Sequence, residues 1–155
     1  MAPVLYLHGF ASGPGSSKAD YFRRVLEPAG LPLQVPDLAA GDFEHLTLTG
    51  QLAVIARAAG GRTVSLIGSS MGGYLAALFA ARHPQAVDRV VLLAPAFGFA
   101  RRWREHLGAE AVERWRETGG LEIFHYGENR PVILGYQLLE DADPYETTPI
   151  STSLR

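Results

Sequence analysis

The stretch SLIGSSMGGYLAAL, Ser65 to Leu78, runs from strand-forming residues through two adjacent serines into small residues suited to a helix. A serine at the apex of a strand-turn-helix unit is forced to positive φ, and the residues two before and two after it must be small so that strand and helix can pass closely. Centred on Ser70, those flanks are Gly68 and Gly72; centred on Ser69 they are Ile67 and Met71, too bulky for the approach. Ser70 is therefore the serine that fits G-x-S-x-G, the pattern of a nucleophilic hydroxyl presented on a sharp turn. A glycine-rich strand-to-helix turn can also bind phosphate through helix N–H groups. The patterns that mark such turns, G-x-x-x-x-G-K-[ST] and G-x-G-x-x-G, are absent from the sequence.

A serine that attacks a carbonyl needs donors for the oxyanion that forms, each worth about a hundred- to a thousandfold in rate. The Met71 N–H, immediately after the serine and at the helix start, is one natural donor. The other is expected from the loop LHGFASGPGSS, where Gly9 permits an unusual backbone turn and the Phe10 N–H would face the pocket. His8 is read as hydrogen-bonding the loop rather than as a catalytic group.

These groups need a scaffold. Val4 to Leu7 is a short apolar run rich in strand formers and ended by Gly9, which predicts a strand buried on both faces. Ser17 with Asp20 gives a capping-box-like helix start, and Ala19, Phe22, Val25 and Leu26 share one helical face. Leu33 to Val35 predicts a second strand. Thr47 or Thr49 caps a helix carrying Leu48, Leu52, Ile55 and Ala59 and closed by Gly60 and Gly61. Thr63 to Ile67 is a third strand, Met71 to Arg82 a helix stopped by Pro84, and Val90 to Leu93 a fourth strand. Strands alternating with helices of about 10 to 15 residues describe an α/β, doubly wound, mainly parallel sheet. Ligands of such sheets bind at the carboxyl ends of the strands, which here carry HGF, PDLAAGD, GSSMGG and APAFGF.

After Phe99 the alternation fails. ARRWREHLGAEAVERWRETGG predicts two short amphipathic helices with Trp103, Leu107, Val112 and Trp115 inward, and LEIFHYGENRPVILGYQLLEDAD predicts a hairpin around Gly127 to Pro131. The chain is expected to be one domain over 1–155, with a core over 1–98 and an insertion over about 99–145 above the strand ends.

Composition narrows the function. A chain of 155 residues is long enough to bury about two-thirds of its unfolded surface in one core. A net charge of −2 with 19% charged residues gives no nucleic-acid footprint and points to a small-molecule partner. Cysteine is absent, which excludes disulfides, a thiolate metal site and a Cys nucleophile. No pair of histidines lies at helical metal-ligand spacing, so neither metal nor cofactor is implied. Apolar runs are broken within about ten residues, too short to span a bilayer, and no basic segment of a signal peptide is visible. A cytoplasmic location is expected.

At these residues the sequence resembles the α/β-hydrolase superfamily over essentially its whole length. LYLHGFASGPGSSKA with GSSMGGYLAALFA is most similar to the small bacterial esterases of the YqiA-like group and related serine hydrolases with a short lid. The resemblance implies a nucleophile at Ser70, an oxyanion hole from the Phe10 and Met71 N–H groups, and hydrolysis of a carboxylic ester or thioester. It also implies that the insertion is a lid over an acyl pocket, which Phe97, Phe99, Trp103 and Trp115 would line or cover. Core packing of the same aromatics stays open beside that reading.

The family order is serine, acid, histidine, and here the sequence departs from it. The segments that would carry the acid and the histidine are missing, so their identity is unknown. His8, His45 and His83 each have a structural reading, and His106 and His125 would reach Ser70 only through an unusual lid geometry. Asp88 precedes the fourth strand, and Asp141 and Asp143 have no histidine after them. The chain is therefore expected to be a C-terminally incomplete portion of a longer hydrolase. Two alternatives stand beside this: a shortened protein that binds an acyl ligand without turnover, and an interaction module, such as a dimer, that pairs its exposed sheet edge with another chain.

Overall fold

Each face of the first strand packs against a different set of residues, and this two-sided burial organises the molecule. In the computed structural model, which describes residues 1–150, strand β1 (Val4–Leu7) is buried at all four positions. Its Leu5 and Leu7 side chains join the larger core, while Val4 and Tyr6 join Ala19, Leu33 and Ile67 on the opposite face. Residues 151–155, the end of the unit expected over 1–155, lie outside the described residues.

The elements follow in the order α1 (Ser17–Leu26), β2 (Leu33–Gln34), α2 (Leu48–Ala59), β3 (Val64–Ser69), α3 (Met71–Arg82) and β4 (Val87–Leu93). The four strands form a parallel sheet in the order β2-β1-β3-β4, the doubly wound α/β arrangement expected. Helix α1 closes one face through Ala19, Phe22 and Leu26. Helices α2 and α3 contribute to the larger core on the other face. Helix α3 is apolar all round and buried from Met71 to Ala80, as a helix enclosed on every side must be. Fully buried leucines such as Leu5, Leu7, Leu75 and Leu78 stabilise the fold by about 1.5–3 kcal/mol each.

Beyond β4 the chain builds a cap: α4 (Phe99–Leu107), α5 (Ala109–Thr118), an antiparallel hairpin of β5 (Gly120–His125) and β6 (Arg130–Gly135), and α6 (Gln137–Ala142). Trp115 is 1% exposed and its indole N–H donates to the Leu134 carbonyl at 2.9 Å, which seals α5 against the hairpin. Polar side chains bind the cap to the entry of α2. The Gln137 amide donates to the Glu44 and Leu46 carbonyls at 2.9 and 3.0 Å, and the Asp141 carboxylate accepts the Thr49 N–H at 2.8 Å and its hydroxyl at 2.7 Å. Glu146 caps α4 by accepting the Ala100 N–H at 2.8 Å, and Arg104 grips Asp143 with two nitrogens.

Several local expectations shift. The α1 cap is Ser16, whose hydroxyl accepts the Ala19 N–H, not Ser17, and Val25 is 51% exposed because the buried stripe runs through Ala19, Phe22 and Leu26. Strand β4 starts at Val87, three residues earlier than read, so Asp88 lies inside it. Pro131 belongs to β6 rather than to the turn, and α6 was not expected at all.

At the junction of β3 and α3 the strand and helix backbones all but touch. A Cβ on Gly72 would lie 2.6 Å from the His8 carbonyl oxygen and closer still to that of Leu7; one on Gly68 would lie 2.7 Å from the Gly73 Cα. Backbone cannot yield as a flexible side chain can. Gly72→Ala is therefore expected to destabilise the protein by about 3 kcal/mol, lowering the Tm by about 6–12 °C. Gly15→Ala, where a methyl meets nothing within 4 Å, should leave the Tm unchanged. An unaltered Tm for Gly72→Ala would contradict this packing.

Candidate active site

Ser70 sits at the apex between β3 and α3 with φ 56° and ψ −117°. A residue with a Cβ adopts such a conformation at a cost of about 1–3 kcal/mol and keeps it only when its surroundings over-determine it. They do so here. The Ser70 N–H donates to the Leu93 carbonyl at 2.9 Å, and its own carbonyl accepts the Tyr74 and Ala96 N–H groups at 3.0 and 2.9 Å. Between the Leu93 carbonyl and the Ala96 N–H the chain turns through Ala94, itself at φ 45°. Ser70 is left exposed, whereas Ser69 is 6% exposed and lies beside the Tyr6 phenol. Burial raises the pKa of that phenol, and the nearby Ser69 and Ser16 hydroxyls oppose the rise.

The two N–H groups expected at an oxyanion site, those of Phe10 and Met71, have no hydrogen-bond partner among the described residues. The unusual backbone of the first loop falls on Ala11, at φ 54°, and not on Gly9, where it was expected. The glycine serves a different purpose at position 9. A Cβ there would stand 3.7 Å from the Ser70 Cβ, so a larger side chain would crowd the approach to the hydroxyl.

His8 is buried and bound at both ring nitrogens, as the loop brace that was expected. Its Nε2 accepts the Leu38 N–H at 3.1 Å, which places the proton on Nδ1, donating to the Gly9 carbonyl at 3.0 Å. Burial lowers its pKa, against the opposing pull of the Gly9 carbonyl and the Asp37 charge. The neutral ring ties the loop after β1 to the loop after β2.

The Phe10 ring lies edge-on to Trp103 at 5.0 Å and packs on Phe43 at 5.4 Å and Phe99 at 6.1 Å. Phe97 stands apart. It is 40% exposed, meets Tyr74 at 6.0 Å, and with Leu92, Tyr145, Glu146 and Ile150 borders an open cavity of about 530 Å³. Burial, with Glu146 and Tyr145 nearby, pushes the Tyr74 phenol up to about 12. Trp115, expected to line or cover an apolar site, is instead consumed by the core of the cap. Phe43 and His125, unmarked by any motif, stand edge-on to each other at 4.8 Å. They border a cavity of about 510 Å³ with Ser12, Ser16, Asp37 and Tyr126.

No described side chain hydrogen-bonds the Ser70 hydroxyl. His45 pairs with Asp42 at the surface, His83 stacks on Phe79 at the end of α3, and His106 is exposed on α4. His125 accepts the Glu128 N–H at the hairpin tip. Three carboxylates are also occupied, Asp141 at Thr49, Asp143 at Arg104, and Asp37 on the Ala39 and Gly41 N–H groups. Among the described residues no group of three His, Cys, Asp or Glu side chains is placed to hold a metal ion, and no helix is long and apolar enough to cross a membrane.

This geometry has counterparts among solved structures. The mouse α/β hydrolase domain-containing protein 10 superposes with a TM-score of 0.74 at 16% identity, covering 96% of this chain and 64% of that one. Paleococcus ferrophilus monoacylglycerol lipase gives 0.68 at 18% identity, covering 94% and 67%. Ferulic acid-bound Est1E from Butyrivibrio proteoclasticus gives 0.70 at 17% identity, covering 97% and 62%. The chain thus spans less than two thirds of the mouse protein, and likeness at these identities fixes the fold alone: this is an α/β-hydrolase fold. No curated protein matches the sequence significantly. Residues 3–142 match the model of an uncharacterised protein family, UPF0227, and the chain belongs to that family.

Proposed function

We propose that the protein is a serine hydrolase that cleaves a carboxylic ester or thioester through an acyl-enzyme on Ser70. The observation that carries this reading is an exposed serine held at φ 56° at the turn into α3, together with N–H groups of Phe10, on the loop after β1, and Met71, the next residue, that have no described partner. In the reaction the Ser70 oxygen attacks the acyl carbon while a base takes its proton. The carbonyl oxygen becomes an oxyanion facing the two N–H groups, the alcohol or thiol leaves with a proton, and water then frees the acid. A monoacylglycerol lipase and a polyneuridine aldehyde esterase among the structural neighbours support the substrate class by analogy of fold.

One observation favours a second reading, acyl-ligand binding without turnover: no described histidine reaches the Ser70 hydroxyl. Without a base the hydroxyl stays protonated near neutral pH, and loss of triad function costs a serine protease of unrelated fold on the order of a millionfold in turnover. The 155-residue chain on its own is therefore expected to hydrolyse p-nitrophenyl esters barely above buffer. Brisk turnover lost in Ser70→Ala would overturn that and point to His106 or His125 as the base. The protein translated from its whole reading frame should react with a fluorophosphonate at Ser70 and lose the label in Ser70→Ala. Labelling on Ser69, or none, would contradict the hydrolase reading, and the second outcome would favour ligand binding.

The neutral brace at His8 carries its own pH signature. Because burial lowers its pKa, the folded state binds the His8 proton less readily than the unfolded chain does. The stability it contributes is thus complete above the ordinary pKa of 6.5 and is lost as pH falls below it. Between about pH 7.5 and 5 the wild type should lose more Tm than His8→Gln. Equal losses would count against a neutral, buried His8.

A further inference from the structure

The loop that carries the Phe10 N–H is weakly closed by its own backbone. Its internal turn bond, from the Ser12 N–H to the Gly9 carbonyl, is 3.3 Å long. Ala11 holds a left-handed φ of 54°, uncommon for a residue with a Cβ, so other contacts must hold it there. Those contacts come from more than a hundred residues away. The Tyr126 and Gly127 N–H groups, in the turn between β5 and β6, both donate to the Ala11 carbonyl, at 2.8 and 3.3 Å.

The turn is shaped to this task. A Cβ on Gly127 would stand 3.1 Å from the Ser12 carbonyl carbon and 3.2 Å from the Gly13 nitrogen, so hairpin and loop lie backbone to backbone. His125 fixes the turn by accepting the Glu128 N–H at 3.0 Å, and its ring meets Phe43, which packs on Phe10. The Tyr126 ring is 76% exposed, so its backbone and not its side chain makes the connection. Residues 9–11 are thereby gripped twice, by His8 at the Gly9 carbonyl and by the hairpin at the Ala11 carbonyl.

We propose that the turn of the β5–β6 hairpin is a positioning element for the oxyanion site: the Tyr126 and Gly127 N–H groups hold the Ala11 carbonyl and so fix where the Phe10 N–H points. The assignment rests on the serine-hydrolase reading for its catalytic consequence and on the hydrogen bonds alone for its mechanical one. Released from the hairpin, Ala11 relaxes towards negative φ and turns the loop. A misplacement of about 1 Å in such a site costs about a hundredfold in rate.

Two substitutions undo the contact by different means. Tyr126→Pro deletes the shorter donor, and Gly127→Val drives a side chain into the Ser12–Gly13 backbone. Ile133→Thr, on the outer face of the hairpin, is the control. Amide hydrogen exchange and p-nitrophenyl ester kinetics are measured on the protein from its whole reading frame. Exchange across residues 10–13 should rise about tenfold or more in both variants, with β1 and α3 amides unchanged as evidence of folding. The kcat should fall about ten- to a hundredfold with KM within about twofold, since a misplaced donor is felt in the transition state. Unchanged loop exchange in a folded variant would overturn the clamp. Faster exchange with unaltered Ser70-dependent kcat, or a change in KM alone, would overturn its positioning role. Absence of any Ser70-dependent turnover in the wild type would sink the hydrolase reading and with it the catalytic role, while the exchange data would still decide whether the hairpin holds the loop.

Discussion

The close approach of the β3–α3 junction to the end of β1 is the constraint on which the rest of the structure depends. Gly68, Gly72 and Gly73 allow the strand, the helix and the Leu7–His8 carbonyls to meet with no side chain between them. Because the contact is backbone on backbone, it fixes distances that side-chain packing would leave adjustable. It sets Ser70 and the Phe10 loop on neighbouring strand ends, and it seats α3 deeply enough to be buried along nearly its whole length. The strain stored at Ser70 is affordable because its N–H and carbonyl are both bound to the segment around β4. An oxyanion site gains its effect from donors already in place before charge develops, and under the proposed function a rigid junction of this kind is what such donors require.

Around that junction polar groups are satisfied with economy. Among the described residues no buried side-chain nitrogen or oxygen lacks a partner. His8 uses both ring nitrogens to join two loops, and the cap is attached to the core through Gln137, Asp141 and the Gly135 N–H, all at the entry to α2. His8, His125, Asp141 and Asp143, which look like candidates for acid–base chemistry, are thus spent on architecture. The Ser70 hydroxyl, exposed at the end of β3, has no hydrogen-bonded side chain among the described residues.

Much of this was legible in the sequence, and the division between what was and what was not follows the range of the interactions. Gly68 and Gly72 flank Ser70 within five residues, and the steric demand of a sharp strand-helix turn is local, so the motif carries its own geometry. Alternating strands and helices likewise announce a parallel sheet because burial on both faces leaves continuous apolar runs. The errors were of two kinds. Small ones, such as Ser16 for Ser17 at the α1 cap, reflect neighbouring residues equally able to bond a helix N–H. Larger ones were long-range. Nothing near Trp115 says that its indole will bond the Leu134 carbonyl, nothing near Gly127 says that it will press on Ser12, and the short α6 is stabilised by its contacts with α2 rather than by its own propensity.

The central claim is that the Ser70 elbow and the two N–H groups form one acyl-transfer site. It is tested most directly by a crystal structure of the whole-reading-frame protein after reaction with an alkyl phosphonate, whose phosphonyl oxygen stands where the oxyanion of an ester would. The account predicts phosphorus bonded to Ser70 Oγ and that oxygen about 2.7–3.1 Å from both the Phe10 and Met71 nitrogens. An adduct on any other residue, or a Ser70 adduct whose oxygen faces solvent with neither N–H in reach, would contradict it.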